Sequence, residues 1–204
     1  VGVNRGWTVT TGVWARGILA EEYGVDLASV QWVRSGDEHV ERYVPPAYVT
    51  NMPEGEDLAG MLVDGELDAV IGVEVDHPDV VPLIPDPEET AFAALEKTGL
   101  YPINHLVVIK DEVLAAHPDA ASAIYAAFVD AKSRYLGRLT TGEITDPTVT
   151  DRRLLRVREV TGGGDPLPYG LDANRPTLER LMRHAVDQRI LSRPVPLESL
   201  FAAV

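Results

Sequence analysis

The sequence predicts an α/β fold. Short apolar, β-branched segments alternate with helical patterns as far as Ile109, and clusters of Gly, Pro and Asp separate them. Beyond Ile109 the pattern is mainly helical. The opening segments read as strand, Thr-rich turn, helix and strand, a βαβ unit that requires a parallel sheet.

Val1–Val3 is the first strand by pattern. Thr11–Tyr23 follows as a helix, with Val13, Trp14, Ile18 and Leu19 near helical spacing and Gly24 as its stop. Val30–Val33 is the second strand, and Ser35–His39 the loop after it. Pro45, Pro46 and Pro53 make the next stretch irregular. A short helix over Asp57–Val63, a buried strand within Leu67–Val73 and a helix over Thr90–Thr98 follow. Leu106–Ile109 reads as a further strand. Helices are then expected at Asp111–Ala116, Asp119–Leu139, Arg152–Val160 and from Asn174 or Thr177 to Gln188. Residues 1–104 are expected to form one α/β domain. The helices of 105–204 need another sheet to cover, which suggests that a segment precedes Val1, itself patterned like the middle of a strand.

Composition narrows the function. The net charge is −14, with 18 basic against 32 acidic residues and only three lysines, so nucleic acid and anionic lipid are poor partners. A small anion must be held locally, by a few arginines or a helix N-terminus. No cysteine occurs, which removes thiolate chemistry. No apolar run is long enough for a membrane span. No Gly-x-Gly-x-x-Gly, phosphate loop or His-Glu-x-x-His pattern is present, so no cofactor is expected and a divalent metal is left open. A second copy of the chain is a further candidate partner, since an exposed lobe surface drives pairing.

Three groups of residues carry chemistry. Thr8, Thr10 and Thr11 precede or open a helix, where they either cap it or hold a carboxylate. Arg5, Arg16 and Arg42 are candidates to pair with that carboxylate, or else are solvated surface cations. Gly36-Asp37-Glu38-His39 follows a strand end, where open α/β sheets place their ligands. His39 there suits proton transfer near neutral pH, with Glu38 to orient it. His105 stands beside Asn104 and close to Tyr101 and is the second such histidine, against the plain reading of a satisfied core residue. His77, His117 and His184 carry no such signal.

Four stretches also resemble a known family in their order and spacing. They are Val1–Val3 with Gly12-Val13-Trp14-Ala15-Arg16-Gly17-Ile18-Leu19 and Glu22-Tyr23-Gly24-Val25; Gly36–His39 with Gly65-Glu66-Leu67-Asp68-Ala69; Thr98-Gly99-Leu100-Tyr101-Pro102-Ile103-Asn104-His105; and Asp165-Pro166-Leu167-Pro168-Tyr169-Gly170 with Asn174-Arg175. Together they resemble the 4,5-dihydroxyphthalate decarboxylase family. The resemblance implies a type II periplasmic-binding-protein-like fold. Residues 1–104 would be a three-layer α/β/α substrate-binding lobe, and the C-terminal helices would return to a second lobe whose first part lies upstream. It implies loss of carbon dioxide from a small anionic aromatic ligand. His39, His105 and Glu38 would be catalytic, and Thr8, Thr10, Thr11, Arg16, Arg42, Tyr101 and Asn104 would bind. A cytoplasmic setting would follow. The reading from a different class is a non-catalytic solute-binding protein for a small organic anion, which would be periplasmic or extracellular.

Overall fold

The computed structural model describes residues 1–204, which divide into two compact units. The first comprises Val1–Pro85 and Glu179–Val195. It contains β1 (Gly2–Val3), α1 (Thr10–Tyr23), β2 (Trp32–Arg34), β3 (Val49–Asn51), α2 (Leu58–Val63) and β4 (Val70–Ile71). The strands form one parallel sheet in the order β3-β2-β1-β4. Gly2 pairs with Val33 on one side and Val70 on the other, so β1 is central.

Successive strand residues point to opposite faces, and the two cores follow that alternation. Val3 and Trp32 join Trp7 on one face, with Leu27, Tyr48 and Ile190 packed around them. Val33 and Val70 turn to the other, against Leu58, Met61 and Leu67. The sheet is therefore covered on both faces, as a parallel sheet requires.

Local signals set the element ends. Gly24 adopts a left-handed φ of 69° at the end of α1. Asp57 caps α2 by accepting from Ala59 N and Gly60 N. β3 was expected to be irregular. It is a three-residue edge strand, a position that tolerates flanking prolines because one side of its ladder is unpaired.

The second unit comprises Asp86–Leu178 and Pro196–Val204. It holds α3 (Pro87–Thr98), α4 (Asp111–Ala116), α5 (Ala120–Thr140), α6 (Val149–Val160), the start of α7 (Leu171–Asp187) and a 3₁₀ turn at Leu197–Ser199. α3 starts three residues earlier than expected because Pro87 takes the first helical turn, followed by Glu88 and Glu89. Thr148 and Asp151 form a capping box at α6. α3 and α6 pack through Phe92, Leu95 and Val157. Lys132 bonds Asp165 at 2.5 Å and sits 3.5 Å above the Tyr169 ring, which fixes the Asp165–Gly170 loop on α5.

The strand expected at Leu106–Ile109 does not form. Leu106, Val107 and Val108 are 57%, 63% and 88% exposed in an irregular stretch. A strand exists only by pairing, and this unit offers no other strand. No helix is long and apolar enough to cross a membrane.

Within the first unit, the last part of α7 packs on α1. Arg180 pairs with Glu21 at 2.7 Å and Glu22 at 2.8 Å. His184, which carried no signal in the sequence, is only 5% exposed. Its ring stands edge-on to Trp14 and lies against Gly17, where a Cβ would come within 2.6 Å of Nδ1. Gly17→Ala is therefore expected to overpack this contact and cost about 1–3 kcal/mol, measured by urea denaturation. An unchanged midpoint would show that the helices separate freely.

The same contact gives a pH dependence. Burial is the largest cause holding His184 below its ordinary pKa; Glu21 opposes it, Arg180 and Arg183 add to it, and Asp187 opposes it. The unfolded chain then binds the proton more readily than the folded one. The stability contributed by neutral His184 is fully present above about pH 6.5 and is lost as pH falls below it. The melting temperature is expected to drop between about pH 7.5 and 5.5, and His184→Gln to flatten that drop. A variant with the same pH profile as the parent would remove His184 as its cause.

Candidate functional site

Ligands of open α/β sheets collect at the carboxyl ends of the strands. In the first unit those ends open into Asn4–Val9 after β1 and Ser35–His39 after β2. Arg5 takes a left-handed φ of 68° there. Asn4 Nδ2 donates to Gly72 O beyond β4, and Arg5 N donates to Ser35 Oγ. Three strand ends are thus tied together.

Glu38 closes this arrangement. Its Oε1 accepts from Trp7 N at 2.6 Å and from Arg34 Nη1 at 3.0 Å. Its Oε2 accepts from Thr8 N at 2.9 Å and Thr8 Oγ1 at 2.8 Å. The side chain is 5% exposed. Burial works to raise its pKa, but the bonds from Thr8 and Trp7 and the charge of Arg34 outweigh it, so the carboxylate is held below the usual range. Gly6 allows the approach: a Cβ there would lie 2.6 Å from Asp37 O and 2.9 Å from Glu38 Oε2. The turn before α1 is thus a carboxylate-binding set of donors, and a carboxylate of this chain fills it.

Arg16 faces the other way. It is fully buried, with Nε donating to Gln188 Oε1 at 2.8 Å and Nη2 to Trp7 O at 2.5 Å. Its Cζ lies 3.6 Å above the Trp7 ring, and Nη1 has no partner. Burial lowers its pKa to about 9, although Tyr43, Glu38 and Tyr48 pull the other way. Gln188, 1% exposed, also donates from Nε2 to Val13 O, and its backbone carbonyl accepts from Trp7 Nε1. Arg16 and Gln188 therefore hold the back of the turn whose front holds Glu38.

The structure brings Thr8 and Glu38 into contact. Thr10 and Thr11 open α1, but neither caps it; the N-cap is Val9, with no side-chain bond. Thr11 is exposed, as are His39 and Arg42 further along the loop. Glu38, expected to orient His39, spends its oxygens on Trp7, Thr8 and Arg34. Tyr101, Asn104 and His105 belong to the second unit, where Tyr101 packs beside Phe92 and Val157 while Asn104 and His105 are exposed. No group of three or more acidic or histidine side chains is placed to hold a metal ion. Trp7, Arg34 and Gln188 were not anticipated. Trp7 stood in a turn of Gly and Thr, which is a signal of sorts; Gln188 gave none.

No family model matches the chain. Two curated proteins do. The 4,5-dihydroxyphthalate decarboxylase of Comamonas testosteroni is 31% identical over 211 residues, an alignment that takes in 96% of this chain. The chain is similar to 4,5-dihydroxyphthalate decarboxylases. A second protein of that name, from Pseudomonas putida, is 41% identical over 98 residues and 42% of the chain. The chain spans less than two thirds of either relative, 63% and 38% of their lengths. The family-level resemblance read from the motifs is thus supported by curated sequences.

Proposed function

We propose that the chain is a carboxy-lyase acting on an aromatic dicarboxylate such as 4,5-dihydroxyphthalate, releasing carbon dioxide and 3,4-dihydroxybenzoate. The observation that carries this reading is 31% identity across 96% of the chain to a decarboxylase of that name. The sheet covered on both faces agrees with a type II periplasmic-binding-protein-like lobe. A cytoplasmic setting fits the same reading.

The substrate dictates what the protein must supply. Each carboxylate is para to a ring hydroxyl. Direct loss of carbon dioxide would leave an aryl carbanion of prohibitive energy. Deprotonating the para hydroxyl instead pushes electrons to the ring carbon that bears the leaving carboxylate, and a proton is added there. The carbon–carboxylate bond then breaks, its electrons restore aromaticity, and carbon dioxide departs. One base, one acid and a seat for the carboxylate that stays are required. We assign proton transfer to His39 and His105. The seat falls to Thr10 and Thr11 with the first N–H groups of α1, beside the turn that Thr8 and Glu38 stabilise. Arg16 then acts as a positioning residue, through Trp7.

The test is to incubate the chain with 4,5-dihydroxyphthalate and follow substrate loss, carbon dioxide and 3,4-dihydroxybenzoate. Stoichiometric appearance of both products supports the assignment. Binding without product would move the chain to ligand capture.

A further inference from the structure

Arg34 is the last residue of β2, and its backbone is held from both sides. It lies opposite Val3 of β1 and Asn51 of β3, and its carbonyl accepts from Met52 N at 2.9 Å. A side chain on a strand starts from a fixed point, as one on a loop does not. Nη1 donates twice into the loop that follows, to Gly36 O at 3.1 Å and to Glu38 Oε1 at 3.0 Å. The Arg34 side chain is 14% exposed and that of Glu38 is buried, so the ion pair is largely shielded from water and salt. Both N–H groups of Nη1 are committed to the chain itself.

The loop is packed at each step. A Cβ on Gly36 would lie 3.1 Å from Arg5 Cα, and one on Gly6 would lie 2.6 Å from Asp37 O, so two backbone segments meet there with no side chain between them. Glu38 is tied to Trp7 and Thr8. Those contacts fix where the loop ends. Arg34 bonds two points of the loop at once, a carbonyl and a carboxylate two residues apart, and therefore fixes its curvature. His39 is the next residue, one peptide unit or about 3.8 Å between Cα atoms beyond Glu38, and its side chain is exposed.

We propose that Arg34 is a positioning residue for His39: by bridging Gly36 O and Glu38 Oε1 it sets the path of the loop, and with it the place from which the His39 imidazole reaches a bound substrate. The assignment rests on the decarboxylase reading, in which His39 transfers a proton. A proton-transfer group works only within hydrogen-bond reach of its target, and a misplacement of about 1 Å can cost about 10²-fold in rate. Lysine cannot replace Arg34 in this role. It keeps the positive charge beside Glu38, but as a point charge on a flexible stem it lacks the rigid plane that directs Nη1 to both acceptors.

The test compares the parent with Arg34→Lys and Arg34→Gln. It measures kcat and KM for 4,5-dihydroxyphthalate, the melting temperature, and amide hydrogen exchange over Gly36–His39. Arg34→Lys is expected to melt near the parent and to exchange faster over Gly36–His39. Its kcat is expected to fall by about 10–10²-fold with KM within about twofold of the parent. Arg34→Gln is expected to lower the melting temperature as well, because the buried Glu38 carboxylate loses its cation. A kcat equal to the parent's in Arg34→Lys would overturn the proposal. So would a rise in KM alone, which would place Arg34 against the substrate, or a fall in kcat with unchanged exchange. An Arg34→Lys variant that melts as low as Arg34→Gln would make the role structural and overturn it too. A parent that turns over no substrate would sink the decarboxylase reading and this assignment together, whereas an active parent matched by Arg34→Lys would sink the assignment alone.

Discussion

Arg16→Ala is expected to destabilise the first unit by about 2–4 kcal/mol. The truncation leaves the Trp7 carbonyl and Gln188 Oε1 buried without their donor, and each orphaned group costs about 1–3 kcal/mol. It also opens a void beneath Trp7, whose ring lies on the guanidinium. One effect works against the loss. Arg16 is a buried cation with no carboxylate partner and one unsatisfied nitrogen, and removing it also removes that desolvation cost. Arg16→Met separates the contributions, since it keeps the volume and loses the bonds and the charge together. It is expected to cost less than Arg16→Ala. Urea denaturation read by tryptophan fluorescence measures both, because Trp7 reports directly on this contact. A change below about 0.5 kcal/mol for Arg16→Ala would mean that the network contributes little. A methionine variant as unstable as the alanine one would show that the hydrogen bonds, not the packing, hold the turn.

How far the sequence foretold this structure depends on the distance over which each feature is determined. α1 with Gly24, α2 with Asp57, α4 at Asp111–Ala116 and the Gly99 stop were legible, because caps and left-handed glycines act within one turn. The parallel sheet was legible from the βαβ order. β3 was hidden by its prolines, which an edge position tolerates. Leu106–Ile109 misled in the opposite direction: an apolar β-branched run reads as a strand whether or not another strand lies beside it. The candidate site was harder. Arg16 looked like a surface cation near a Thr-rich turn, and its true partner is 172 residues away in Gln188. His184 looked like any helix residue, and only the docking of α7 on Gly17 buries it. Glu38 was expected to orient His39, but beside its bond to Arg34 it accepts from Trp7 and Thr8, 31 and 30 positions earlier, beyond any local rule.

That placement of Glu38 sharpens the prediction for its neighbour. A carboxylate that accepts from Trp7, Thr8 and Arg34 has its capacity committed, so it cannot also hold the His39 imidazole. Glu38 instead anchors the loop that carries His39 at the strand ends. His39→Ala is then expected to leave folding almost unchanged, because the side chain is exposed, and to lower turnover of 4,5-dihydroxyphthalate by about 10²–10⁴-fold. In free energy that is about 3–5 kcal/mol of transition-state stabilisation. His105→Ala is expected to cause a loss in the same range, also without unfolding, since His105 is exposed too. The shape of the loss separates roles. A group that only binds raises KM and leaves kcat, whereas a proton-transfer group lowers kcat. Measuring kcat and KM for each variant across pH shows which limb of the profile each histidine controls. Unchanged kcat in His39→Ala would remove it from proton transfer and leave His105 as the one histidine assigned. Unchanged kcat in both variants would remove the histidines altogether and pass the base to another group.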